Sequence, residues 1–164
     1  MKYLGPFMYT LFVSGTKDKR VIYKKEQIGE NVNFQKPVTE KSRPKIYILK
    51  SENELIYIGY TGQSISSRLN YGMRANGRNG YHGYKWKNEL DSVDLYVFVF
   101  EPFSGNEKDN KKYKQFVEAI EAELVYKVRK ETDFWPRSQS EIHFNNKQSE
   151  EVRNIATFIY NSLG

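Results

Sequence analysis

Residues Ile56–Leu69 read IYIGYTGQSISSRL, and the order of residue types in this stretch decides the rest of the reading. Aromatic and aliphatic residues through Ile58 mark a β-strand that runs into Gly59. Thr61-Gly62 reads as a turn, Gln63 or Ser64 as a helix cap, and Ile65 with Leu69 as an i, i+4 apolar pair on the helix that follows. Arg68 stands one residue before Leu69, so the helix presents one cation beside its own core anchor.

Working outward, KIYILK (45–50), the loop SENE and LIYIG (55–59) form a β-hairpin. Pairing Ile46 with Ile58 and Ile48 with Ile56 puts all four isoleucines on one face, and Tyr47 then lies opposite Tyr57 on the other. DLYVFVFE (94–101) is a third strand. The expected architecture is α/β, a small antiparallel sheet of about three strands flanked by helices.

An N-terminal β-hairpin, Phe7–Val13 and Arg20–Lys25 joined by SGTKDK, extends this unit. The stretch GENVNFQKPVTEKSRP (29–44) reads as a linker. Residues 1–43 are therefore expected to form the hairpin and linker, and 44–164 the main domain. The longest helix is expected over about 110–130, with Phe116, Val117, Ile120, Leu124, Val125 and Val128 at helical spacing. One charge intrudes on that stripe: Glu121 falls one turn from both Val117 and Val125. Residues 150–163 read as a closing amphipathic helix.

Composition limits the chemistry. The 164 residues carry a formal charge of +6, which suits a polyanionic partner. There is no cysteine, and His82 and His143 are the only imidazoles, so a metal here is expected to be oxygen-bound. The opening MKYLGPFMYTLFV has one lysine, an interrupting Pro6 and no small-residue cleavage pattern, so a cytoplasmic location is expected. No apolar run reaches the roughly 20 residues of a membrane helix.

Together, Lys45-Ile46-Tyr47, Tyr57-Ile58-Gly59, Arg68 and Glu121 closely resemble the motif set of the GIY-YIG nuclease family, over about 44–136. The sequence departs from that pattern at Lys45, where the family usually has glycine, and after the late helix, where WPRSQSEIHF lacks an asparagine often found there. The resemblance implies a metal-dependent DNA endonuclease, with restriction, mobile-element and repair roles left open. The alternative is a non-catalytic nucleic-acid-binding relative that keeps the fold. It further implies that Tyr47 helps deprotonate the attacking water, Tyr57 orients the phosphate, Arg68 holds a non-bridging oxygen and Glu121 ligates Mg²⁺ or Mn²⁺. Tyr60 and Lys45 are expected to support them. Each residue alone also has a plainer use, as a strand aromatic, a solvated helix arginine or an internal ion pair.

The stretch YGMRANGRNGYHGYKWK (71–87) interleaves Arg74, Arg78, His82, Lys85 and Lys87 with aromatic residues. Such a loop suits phosphate contacts and base or sugar stacking, and these five residues are the expected DNA-binding set. The N-terminal hairpin has three open uses: extending the sheet, contacting DNA, or forming a homodimer interface.

Overall fold

A computed structural model describes the chain from Lys2 onward, apart from residues 17–18, 53, 79–80, 140–141, 143 and 146–148. Its strands are β1 (Tyr3–Ser14), β2 (Val21–Gln27), β3 (Glu30–Asn31), β4 (Lys45–Ser51), β5 (Glu54–Thr61) and β6 (Ser92–Phe100). Its helices are α1 (Ile65–Arg74), α2 (Glu107–Thr132) and α3 (Glu150–Asn161), with a 3₁₀ turn at Lys85–Asn88.

The sheet is larger than the sequence implies. All six strands join one antiparallel sheet in the order β3-β2-β1-β6-β4-β5, which corrects the expected sheet of about three strands. The cause lies in β6. Val93, Leu95, Val97 and Val99 bury toward one face, and Phe98 and Phe100 toward the other. A strand covered on both faces cannot leave either row of backbone groups without partners. β4 takes one edge and β1 the other, so the N-terminal hairpin extends the sheet, one of the three uses left open for it. Tyr9, Leu11 and Val13 of β1 share a core with Tyr47 and Leu49 of β4.

The β4–β5 register also differs from expectation. Ile48 pairs with Ile58, but Tyr47 faces Gly59 and Leu49 faces Tyr57. Between Leu49 and Lys50 the register shifts, so Ile56 is an extra residue on β5. This bulge sends Ile56 into the core with Tyr47, while Ile46, Ile48 and Ile58 remain together on the opposite face.

One face of the sheet is covered by α1, through Ile65, Leu69 and Met73, and by Tyr84 and Trp86. The other is covered by α2 and α3, whose Val117, Ile120, Leu124, Val152 and Ile159 pack on Ile46, Ile48, Ile58, Phe98 and Phe100. Caps fix where the helices begin. Ser64, Asn106 and Ser149 accept the backbone N–H of Ser67, Asp109 and Val152 respectively. Glu107 and Asp109 at the start of α2 and Arg129 and Lys130 at its end suit the helix dipole. Among the described residues no helix is long and apolar enough to cross a membrane.

Candidate active site

The site is built over β5, the edge strand where the two faces of the sheet meet. Tyr47 projects across Gly59, its partner on β5. A Cβ at position 59 would stand 2.6 Å from both Cζ and Oη of Tyr47 and 2.7 Å from Cε1 of Tyr57. The glycine is therefore required by a crossing side chain. Tyr57 lies beside Tyr47 with ring centroids 5.9 Å apart.

Arg68 reaches this pair from α1. Its Nε donates to the Tyr47 hydroxyl at 2.9 Å. The Tyr47 and Tyr84 hydroxyls lie 3.2 Å apart and share a hydrogen bond. The guanidinium also sits over the Tyr81 and Tyr84 rings, at 5.9 Å and 5.8 Å from their centroids. With its inner nitrogen so engaged, the terminal nitrogens of Arg68 make no hydrogen bond to a described residue. A guanidinium anchored in this way keeps two adjacent donors for a forked contact with an anion.

Glu121 stands on α2, on the other side of the β5 edge. Burial raises its carboxyl from the ordinary 4.5 to about 7, and Glu118 one turn away adds to the rise; the charge of Arg68 and the Tyr60 backbone amide oppose it. Arg68 acts electrostatically on Glu121, and Glu121 on Tyr57, across β5. Among the described residues no group of three or more His, Asp or Glu comes together. Glu121 and Glu118 nevertheless suit a hard cation such as Mg²⁺, which takes one or two carboxylates and completes its shell with water and substrate phosphate. A divalent cation would also relieve the repulsion between these two carboxylates.

The tyrosines are held protonated. Tyr47 is wholly buried, and desolvation pushes its phenol well above the ordinary 10, with Arg68 pulling the other way. Tyr57 is only half-buried and is raised by burial and by Glu121. Tyr60 is pushed up to about 12 by burial, Glu118 and Glu121, and its ring packs with the α2 core rather than with Tyr47.

Two lysines occupy places that their charge did not suggest. Lys45 is fully buried, and its ammonium donates to the carbonyls of Glu40 (2.5 Å), Arg43 (2.7 Å) and Gln63 (2.9 Å). Its three donors are thus used in tying the 29–44 segment to the β5–α1 turn, and burial lowers its pKa to about 8. Lys87 is also buried. It donates to the carbonyls of Met73 and Ala75 at the end of α1, so it closes that helix instead of facing solvent. Arg74, Arg78, His82 and Lys85 are exposed, whereas His143 lies outside the described residues.

Tyr84 is the member that sequence reasoning missed. It is buried against Gly72, where a Cβ would come within 2.1 Å of its ring, and it braces Tyr47 from behind. The one signal available was its place in an aromatic-rich stretch, which equally suits surface stacking. The chain matches no family model, and neither the curated proteins nor the solved structures contain a significant match to it.

Proposed function

We propose that this protein is a divalent-metal-dependent endonuclease that hydrolyses phosphodiester bonds in DNA, as the GIY-YIG motifs it resembles imply. The observation that carries this reading is an anchored arginine whose terminal nitrogens meet no hydrogen-bonding partner among the described residues, set beside a half-buried tyrosine and coupled electrostatically to a desolvated carboxylate across β5.

Arg68 holds a non-bridging oxygen and stabilises the charge that grows on it as phosphorus becomes crowded. Tyr57, nearer to solvent than Tyr47, orients the same phosphate through its hydroxyl. Tyr47 is a positioning residue: a buried, neutral phenol that fixes the Arg68 guanidinium. Glu121, with Glu118 beside it, holds the cation. A divalent cation bound there supplies acidity to the attacking water and part of the charge neutralisation. Lys45 acts at a distance by fixing the turn from which α1 departs.

The test is incubation of supercoiled plasmid with the purified protein. Nicked circles are expected with Mg²⁺ or Mn²⁺ and none in EDTA. Cleavage in EDTA, or none with either metal, overturns the reading.

A further inference from the structure

We propose that the pocket bounded by Tyr71, Arg74, Ala75, Asn76, Arg78 and Tyr81 holds one unpaired nucleobase of a DNA strand whose neighbouring phosphate lies on Arg68. This inference rests on the reading of Arg68 as a phosphate ligand. The pocket lies at the end of α1 and in the loop that follows, with a volume of about 230 Å³. That is below the roughly 300–1,000 Å³ of pockets for drug-sized ligands, and it suits a single ring system.

Its aromatic wall is already ordered for stacking. Tyr71 and Tyr81 lie parallel, with centroids 5.2 Å apart and planes within 11°. Tyr81 neighbours both the Arg68 guanidinium and Tyr71, and so links the site to the pocket. Tyr71 is 58% exposed, an aromatic platform open to a further planar group. Stacking a base on such a ring tightens binding by about one to two orders of magnitude.

The remaining lining fits a nucleotide. Arg74 and Arg78 are exposed and form no ion pair with another described residue, and among the described residues no acidic side chain lines the pocket. Both are placed to meet flanking phosphates. The Arg78 backbone N–H donates to Asn76 Oδ1 at 3.2 Å, which leaves the Asn76 amide hydrogens for an acceptor on the base edge. The Gly77 N–H donates to the Tyr81 carbonyl at 3.1 Å, and Gly77 has a φ of 87°, which a side chain would strain. Bases inside a duplex are stacked on their neighbours, so the occupant is a base from a single strand or one flipped out of its pair.

The experiment is equilibrium binding in EDTA of two short single-stranded oligodeoxynucleotides with the same phosphates, one natural and one with every base replaced by a tetrahydrofuran spacer. The wild-type protein is expected to bind the natural strand about tenfold more tightly than the spacer strand. Tyr71→Leu, at an exposed position, should erase that preference while leaving the affinity for the spacer strand unchanged, and Tyr71→Phe should restore it. Equal wild-type affinity for the two strands, equal weakening of both in Tyr71→Leu, or no binding of either overturns the proposal. Plasmid cleavage without base preference removes this inference and leaves the endonuclease reading standing; base preference without cleavage does the reverse.

Discussion

Arg68 donates its Nε to the hydroxyl of Tyr47 at 2.9 Å, and Tyr47 reaches that point because its partner across the sheet is Gly59. The strand thereby sets the direction of the helix cation. In Gly59→Ala the new Cβ would stand 2.6 Å from the Tyr47 hydroxyl, so the phenol must move and Arg68 loses its anchor. Overpacking of this kind costs about 1–3 kcal/mol. A melting temperature lower by several degrees, with cleavage reduced about tenfold or more, is expected. Unchanged melting and cleavage would show that Tyr47 does not position Arg68.

Glu121 opposes stability at neutral pH. Its carboxyl is raised to about 7 in the folded protein, so the fold favours the neutral acid. That contribution is fully present below the unfolded value near 4.5 and is lost as pH rises through about 7. Glu121→Gln removes the charge and keeps the shape. In EDTA at pH 8 the variant is expected to be more stable than wild type by about 1–3 kcal/mol, and the difference should vanish near pH 4. Mg²⁺ should raise the melting temperature of wild type alone. Denaturant midpoints across this range check both statements, and a destabilised Gln variant would contradict them.

Lys45→Gly introduces the glycine usual in the motif that this sequence resembles, and removes a clamp. Three carbonyls lose their donor inside the protein, each at a cost of about 1–3 kcal/mol unless water replaces it. The variant should melt many degrees lower and gain no activity. A variant as stable as wild type would mean that the 29–44 segment is held by other interactions, chiefly buried Val38.

The exposed cations of the loop are Arg74, Arg78 and Lys85; Lys87 belongs to the fold. Neutralising those three together should weaken DNA binding and flatten the slope of log affinity against log salt, by about one unit for each phosphate that is no longer neutralised. Lys87→Met should instead lower the melting temperature. Equal slopes for wild type and the triple variant would move the binding surface to the N-terminal hairpin or to the Lys111-Lys112 end of α2.

Local signals were legible in the sequence. A cap at Gln63 or Ser64, which falls to Ser64, the apolar stripe of α2 and the intrusion of Glu121 follow from spacing. The extent of the sheet was not legible, because the β1–β6 pairing is long-range and leaves no local pattern that names the partner strand. The bulge at Ile56 broke a register argument built on strict alternation. Lys45 and Lys87 read as free cations because their partners are backbone carbonyls, which leave no trace in side-chain pattern. Tyr84 could not be distinguished from a surface aromatic until the helix glycine beneath it was in place.

The most direct test is single-turnover cleavage of plasmid by a saturating excess of Arg68→Ala with Mg²⁺, read beside its melting temperature and DNA affinity. Ile65 and Leu69 anchor α1, so the fold and most of the binding should survive the removal of one half-buried cation. Removing a preorganised donor to developing charge costs about 10²–10³ in rate. The account predicts a reduction of that size with melting nearly unchanged. A folded Arg68→Ala that cleaves within about threefold of wild type, far short of that reduction, would contradict it.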